Sequence, residues 1–184
     1  LIRKDMIEEF IIYVKKNNYP LTSLIEPSIF ETNLFLIHDD ISLIQYSAFF
    51  GSTQIFKYLL KNGAEITSNI WYFAIHGDDS EIISILEEKN VNPPNDSFKK
   101  CIKESIKCHH NQIANYFKTK NDNIENENFD NGFCFSCYNF TYFPKDMNNA
   151  YSLYYACKYD YFTICKLLIS TKEIDINQRV ISID

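Results

Sequence analysis

One pattern recurs four times along the chain and constrains its fold more than any other feature. An isoleucine is preceded, eight positions earlier, by a small residue, and a short polar break lies between them. Apolar residues near each isoleucine follow a helical period, so the pattern predicts a repeated helix, turn, helix unit. The four isoleucines are Ile55, Ile82, Ile113 and Ile164, with spacings of 27, 31 and 51 residues, and the small residues are Ser47 (followed by Ala48), Ala74, Ser105 and Ala156.

Each unit combines a first helix with small side chains and a second helix with large ones. Small side chains let a neighbouring helix approach closely, while Ile55, Phe56, Leu59 and Leu60 form an apolar stripe in the first unit. Gly63 follows that helix, where a left-handed residue ends it without a Cβ penalty. Because one helical pair cannot cover its own apolar faces, we expect the units to stack.

The stretch "YSAFFGSTQIFKYLLKNGAEI" resembles the ankyrin-repeat pattern L-A-A-x-x-G-H-x-E-I-V-K-L-L-L-x-x-G-A-D-V, and the whole set of units is similar to divergent members of the large ankyrin families of parasitic protists. The resemblance covers residues 41 to about 120 and 147 to 177. It implies an all-α, ankyrin-type helical solenoid of about four divergent repeats that binds a protein partner. The matching residues are Ala48, Gly51, Ile55, Lys57, Leu59, Leu60, Gly63 and Ala64 in the first unit, and Ala156, Ile164, Lys166, Leu167, Leu168, Ile169 and Ile174–Asn177 in the fourth.

Two turns depart from the family pattern. The T-P-L-H sequence that caps the first helix of ordinary ankyrin repeats is replaced by "SLIQ" at Ser42–Gln45 and by "NIWY" at Asn69–Tyr72. Without that cap, we expect the second and third repeats to be weak individually and to depend on their neighbours.

The remaining segments flank or interrupt the repeats. Residues 1–40 are predicted to form an N-terminal helical cap of two helices, one starting near Ile2 and one capped by Ser28. Residues 41–184 then hold the repeats, with an insertion at about 121–146 that begins as a polar loop. Its aromatic-rich half, "GFCFSCYNFTYFP", alternates in part and is predicted to be extended. Because the chain begins without Met, one interpretation is that it is a fragment of a longer array.

The resemblance also indicates a binding surface. In ankyrin register, Phe49 and Phe50 lie between the small residues and the turn glycine, on the helix end that faces the concave surface. Exposed aromatic residues there would be anchors for a partner, and the alternative is that both pack against the N-terminal helices or the insertion. The predicted partner-binding residues are Phe49, Phe50, His76, Lys107, Lys158 and Tyr159, and the same register also contains Gly77 and Cys108.

The cysteines suggest a second kind of site. Cys134 and Cys137 form a C-x-x-C motif, and Cys108 with His109 or His110 could complete a tetrahedral zinc site. A metal-binding domain using Cys134 and Cys137 is therefore an alternative function. A single C-x-x-C is a weak signal, and an ankyrin stack needs no metal, so we expect no cofactor. Cys157 and Cys165 are predicted to be small core residues.

Catalytic motifs are missing from the sequence. It contains no G-x-S-x-G, no H-E-x-x-H and no glycine-rich phosphate loop, and it has only four glycines. We therefore predict that the chain is not an enzyme but a protein-protein interaction module. A regulatory or input domain of a larger enzyme is an alternative.

Composition excludes several partners. The net charge is −6 and the arginines are Arg3 and Arg179, which argues against nucleic acid because phosphate affinity comes from clustered basic residues. No apolar run approaches the roughly 20 residues that span a bilayer, so we expect no membrane insertion. Scattered cysteines in an ordinary core predict reduced thiols and a cytoplasmic location.

Overall fold

The computed structural model describes residues 1–26, 28–37, 40–120, 131–143, 145–171 and 173–180. Within these ranges the chain is mostly helical, which confirms the predicted all-α class. None of the helices in these ranges is both long and apolar enough to cross a membrane. The chain divides into two compact units, unit one at Leu1–Lys120 and unit two at Asn121–Asp184.

Unit one consists of an N-terminal segment followed by three helical hairpins. A short antiparallel sheet ties the segment to the first hairpin by pairing Leu24 with Ser42 and Ile25 with Ile41. In chain order the elements are a 3-10 helix Ile2–Lys4, α1 Ile7–Asn17, β1 Leu24–Ile25, α2 Leu34–Ile37, β2 Ile41–Ser42, α3 Leu43–Phe49, α4 Thr53–Lys61, α5 Ile70–Gly77, α6 Ser80–Glu88, a 3-10 helix Pro94–Asp96, α7 Lys99–Lys107 and α8 Asn111–Thr119.

Unit two contains one hairpin of the same kind and an aromatic segment before it. Its elements are α9 Asn131–Ser136, a 3-10 helix Phe140–Tyr142, α10 Ala150–Lys158 and α11 Phe162–Ser170. The predicted extended conformation of the aromatic segment is wrong, since residues 131–143 form α9 and the 3-10 helix. Short apolar runs do not distinguish a strand from a helical turn by periodicity. The polar half of the predicted insertion, residues 121–130, lies outside the described residues.

The four hairpins share one turn geometry. The residue four positions before each register isoleucine has a left-handed backbone, at Gly51 (φ 61°), Asp78 (φ 50°), His109 (φ 62°) and Asp160 (φ 59°). In every hairpin the N–H of this residue donates to the carbonyl three residues earlier, at 3.1 to 3.3 Å. The register read from the sequence therefore corresponds to a repeated three-dimensional unit.

Small residues bring the hairpins of unit one together. Ser47, Ala74 and Ser105 are fully buried, and α3 packs on α5, α5 on α7, and α4 on α6. The approach is closest at Gly77, where an added Cβ would overlap the carbonyl oxygen of Ala48. The large side chains between the helices form the core, which includes Ile44, Ile55, Phe56, Leu59, Ile70, Trp71, Ile75, Ile82, Leu86, Ile102 and Phe117.

The N-terminal segment caps the first hairpin at a helix end. Helix α4 has no side-chain cap from its own N-cap residue, Ser52. Instead, the two carboxylate oxygens of Asp5 accept the N–H groups of Gln54 and Ile55, each at 2.9 Å. The Ser52 hydroxyl in turn donates to the carbonyl of Ile2. The start of the chain therefore supplies partners for N–H groups that a helix leaves unpaired.

The predicted helix capped by Ser28 is much shorter than expected. Among the described residues after Ser28, the helix covers Leu34–Ile37. Ser28 Oγ accepts the N–H of Phe30 at 3.2 Å, a local bond that favours a turn over a helix. Asn33 directly precedes α2, and its Oδ1 caps that short helix by accepting the N–H of Phe35 at 2.9 Å.

The replacement of the family's turn sequence does not leave α3 uncapped. Ser42 and Gln45 form a capping box in which each side chain accepts the backbone N–H of the other residue. Gln45 Nε2 also donates to Asn69 Oδ1 at 3.1 Å, which links the first hairpin to the second. Helix α5 lacks a side-chain cap at Asn69.

Rings provide most of the core of unit two. Phe135 is fully buried and stacks on Phe143 at 4.3 Å, while the Tyr161 hydroxyl donates to the Phe135 carbonyl at 2.8 Å. The prediction that Cys157 is a core residue is wrong, since it is exposed, whereas Cys165 is half-buried and packs against the core of unit two. They lie on the α10 and α11 sides of the hairpin, with sulfurs 3.5 Å apart.

Candidate functional site

Three of the hairpins bring side chains from their corresponding helix ends into direct contact. The rings of Phe49 and His76 stack at 4.9 Å with an interplanar angle of 22°. His76 then contacts Cys108, whose Sγ lies 3.4 Å from Nδ1. These residues come from the C-terminal ends of α3, α5 and α7. We name this surface of unit one, formed by Phe49, Phe50, His76, Lys107 and Cys108, the helix-end face.

Phe35 of α2 packs onto the helix-end face. Its ring centroid lies 5.7 Å from that of Phe49, 5.0 Å from that of Phe73 and 4.3 Å from that of His76. As a result, Phe49 is only 8% exposed. Packing against the N-terminal residues, one of the two alternatives that the sequence left open, is what the structure shows for Phe49. Its ring is therefore part of the core rather than an exposed anchor.

Phe50 lies at the edge of the same face and is half-buried. The Arg3 guanidinium stands 4.8 Å from its ring centroid, a cation–π arrangement, and Tyr46 packs beside it at 4.8 Å. Arg3 Nε also donates to the Tyr46 hydroxyl at 2.7 Å. Part of the Phe50 ring remains accessible, unlike that of Phe49.

Glu104 is the member of this face that the sequence did not reveal. Its Oε1 lies 3.1 Å from His76 Nε2, and its Oε2 lies 3.3 Å from Lys107 Nζ. The hydrogen bond with His76, with help from the positive charge of Lys107, lowers the pKa of Glu104 although burial acts in the opposite direction. The signal was present in the spacing, because Glu104 precedes Cys108 by four residues on α7 and so shares its side of the helix.

The position of the Cys108 sulfur argues against a nucleophile and base pair. Its Sγ is 3.4 Å from His76 Nδ1 and 3.7 Å from Nε2. Near-equal distances place the sulfur over the face of the imidazole, whereas a thiol aligned with one ring nitrogen would be much farther from the other. The in-line hydrogen bond that activates a cysteine nucleophile is not formed here.

The two predicted binding residues of unit two lie together at the end of α10. Lys158 is exposed, with Nζ 5.8 Å from the Tyr154 ring centroid and 6.0 Å from that of Tyr159. Tyr159 is half-buried and lies parallel to Tyr155, at 6.5 Å and 14°. This end of the hairpin thus presents the Lys158 ammonium group next to the rings of Tyr154 and Tyr159.

The C-x-x-C motif does not gather further ligands in the part of the chain that the structure describes. Cys134 is buried in α9 and Cys137 is half-buried just after it. Among the described residues, the group of three metal-ligating side chains consists of His76, Glu104 and Cys108, in unit one. Neither cysteine of the motif belongs to it.

Comparison with known proteins returns no relatives. No family model matches this chain, and neither a curated protein nor a solved structure matches it. Its function is therefore inferred from its own contacts.

Proposed function

We propose that this chain is a protein-binding module of ankyrin type, which contacts its partner through the helix-end face of unit one. The observation that carries the proposal is the series of contacts from Phe49 through His76 to Cys108, made by the corresponding helix ends of three stacked hairpins. Stacked repeats present such positions as one extended surface. The step from repeat architecture to protein binding is an analogy, since a fold does not dictate a function.

The N-terminal segment adds apolar surface beside that face. While Phe35 packs inward, its neighbours Ile29, Phe30 and Leu34 are 92%, 83% and 71% exposed. Large apolar side chains clustered on a surface and edged by charged groups are typical of interaction sites. We therefore place the anchors of the interface at Phe30, Leu34 and Phe50.

Charged groups on the same face would orient the bound partner. Arg3 lies over Phe50 and also pairs with Glu31, while Lys107 pairs with Glu104. Charges at the rim of an interface mainly affect the association rate and the choice of partner, whereas buried aromatic anchors supply most of the affinity. The partner fits this face best if it offers an apolar ridge flanked by groups of both signs.

Site-specific photo-crosslinking tests the proposal in the cells that make the protein. A photoreactive phenylalanine analogue is placed at position 30 or 50, and as a matched control at position 61, where Lys61 is exposed at the end of α4. We expect the same partner to be attached from positions 30 and 50 and not from position 61. Equal attachment from all three positions, or none from 30 and 50, would contradict the proposal.

Substitution then measures the contribution of the anchors. With the captured partner purified, we expect Phe30→Ser with Leu34→Ser to weaken binding by about tenfold or more, because anchor residues contribute about 2 kcal/mol or more. The control is Phe162→Ser, an exposed phenylalanine of unit two. An equal loss from both variants would show that the interface lies elsewhere.

A further inference from the structure

Three side chains of different chemistry converge at the centre of the helix-end face. His76 ends α5, whereas Glu104 and Cys108 come from the last turn of α7 and its C-cap. The imidazole nitrogens, the carboxylate and the sulfur offer ligand atoms that all lie within 4.8 Å of one another, and all three residues are partly buried. His76 belongs to the second hairpin, whereas Glu104 and Cys108 belong to the third, so the stacking of these hairpins creates the cluster.

The separations between these atoms are close to those between ligands of one metal ion. A tetrahedral zinc ion with bonds of about 2.0–2.3 Å holds its ligand atoms about 3.3–3.8 Å apart. Here His76 Nε2 and Glu104 Oε1 are 3.1 Å apart, and Cys108 Sγ is 3.4 and 3.7 Å from the two ring nitrogens. The sulfur lies over the ring, so binding a shared ion requires Cys108 to change its side-chain rotamer.

The charges of the cluster also suit a divalent cation. A thiolate at Cys108 and the carboxylate of Glu104 together carry two negative charges, which a dication neutralises. Lys107 contacts Oε2 of Glu104, whereas Oε1 faces the imidazole. Contacts to the rest of the imidazole come from Phe35 and Phe49, which pack on the ring and hold it in place. Neighbours that orient a ligating histidine in this way strengthen metal binding.

We propose that His76, Glu104 and Cys108 bind one transition-metal dication, with Zn²⁺ as the ion that this donor set suits best. Mixed nitrogen, oxygen and sulfur donors favour Zn²⁺ over Mg²⁺ or Ca²⁺, which take oxygen ligands. Three protein ligands leave a fourth coordination position for water or for a group from a bound molecule. This site does not depend on the proposed protein-binding function. It shares Cys108 with the zinc site considered from the sequence but uses neither Cys134 nor Cys137.

Cobalt is the probe that tests the site, because Co²⁺ replaces Zn²⁺ and is coloured. The purified full chain is titrated with Co²⁺ under reducing conditions, and Zn²⁺ is then added. We expect one equivalent of Co²⁺ to produce visible bands of tetrahedral cobalt and a near-ultraviolet sulfur-to-cobalt band, and Zn²⁺ to remove both. Because a bound thiolate must lose its proton, binding also releases acid in proportion to the metal.

Single substitutions assign the ligands. Cys108→Ser should abolish the sulfur band, and His76→Gln or Glu104→Gln should weaken Co²⁺ affinity at least tenfold, since even residues that only support ligands contribute 10–100-fold. The matched controls are Cys137→Ser, which tests the C-x-x-C motif, and Cys165→Ser, which tests the cysteine pair of unit two. Far-ultraviolet circular dichroism and thermal unfolding of every variant establish that it is folded before metal is added.

Two results would overturn the site. One is the absence of a cobalt spectrum in the folded wild-type chain. The other is a sulfur band that survives in folded Cys108→Ser and disappears in Cys137→Ser or Cys165→Ser, which would place the metal at another pair of cysteines.

Discussion

Unit one and unit two contain the same helical hairpin but cover its apolar faces by different means. In unit one each hairpin lies against the next, so fully buried small residues such as Ser47, Ala74 and Ser105 line the contacts. In unit two the hairpin α10–α11 packs on α9 through rings, chiefly Phe135 and Tyr155. Large apolar residues of unit two that are exposed include Tyr151, Phe162, Leu167 and Ile169. The stability of a repeat thus depends on the elements packed beside it as much as on its own sequence.

Both units contain helices with a side-chain cap and helices without one, and α5, α7 and α8 of unit one lack it. In unit one Asp5 caps α4 from a distant part of the chain, and Asp79 caps α6 by accepting the N–H of Ile82. In unit two Asn149 caps α10, whereas Tyr161 at the start of α11 provides no side-chain cap. The following substitutions test whether the difference in how apolar faces are covered is reflected in stability.

The largest expected effect is the loss of a central ring of unit one. Trp71 is 1% exposed, contacts Phe98 and Phe117 edge to face, and donates its indole N–H to the Val91 carbonyl. Trp71→Ala should lower the free energy of unfolding by about 3–5 kcal/mol. Phe162→Ala in unit two should change it by less than about 0.5 kcal/mol, since that ring is 78% exposed. Urea unfolding followed by circular dichroism measures both, and similar losses would contradict the comparison.

The next largest expected effect is a difference in stability cost between substitutions of the adjacent residues Phe49 and Phe50. Phe49→Ala should cost about 3 kcal/mol, because the ring is buried between Phe35 and His76. Phe50→Ala should cost about 1 kcal/mol, mainly the cation–π contact with Arg3 and partial burial. The same denaturation experiment measures both variants. If Phe50 proves the more costly of the two, the assignment of Phe49 to the core is wrong.

A smaller effect tests the cap supplied by the N-terminal segment. Asp5→Ala leaves the N–H groups of Gln54 and Ile55 without their acceptor and should cost about 1–2 kcal/mol. Asp5→Asn keeps one acceptor oxygen and should cost less. In thermal unfolding, we expect the melting temperature to fall from wild type to Asp5→Asn and further to Asp5→Ala. Equal stability of all three would show that the segment contributes no cap to α4.

The smallest effect concerns pH and the helix-end face. The pKa of Glu104 is lowered in the folded chain from its ordinary value of 4.5, so its ionised form stabilises the fold. This contribution is present above the unfolded pKa and is lost as pH falls through the folded pKa. The stability advantage of wild type over Glu104→Gln should therefore shrink between about pH 6 and about pH 3, by less than about 1 kcal/mol. An advantage that does not change with pH would contradict this role.

Local sequence signals predicted the hairpins well and the flanking segments less well. The register of Ile55, Ile82, Ile113 and Ile164 located all four hairpins. At each of them the helical period of apolar residues, the small residue and the polar break all indicate the same helix, turn, helix unit. The helix predicted from Ser28 begins only at Leu34, and the extended conformation predicted for the aromatic segment after residue 131 is wrong. In both places side-chain bonds or ring packing outweigh a short apolar pattern that fits several conformations.

For the candidate site, too, the sequence predicted local features but not the contacts between distant residues. The register identified His76 and Lys107 as equivalent positions, with Cys108 next to Lys107, but it could not show that Glu104 approaches His76, since these residues belong to different hairpins. Nor could it distinguish the buried Phe49 from the half-exposed Phe50, because the difference depends on Phe35, which is fourteen positions before Phe49 and is not part of a repeat.

The sequence by itself determined that this chain forms helical hairpins and where each one turns, because helical period and turn geometry are set by residues within a few positions of one another. The tertiary structure alone decided which side chains meet at the helix-end face, that Asp5 caps α4, and that Phe35 covers Phe49. These contacts join residues far apart in the chain, and their strength depends on how closely stacked helices approach, which is governed by small residues such as Gly77 acting together with their neighbours.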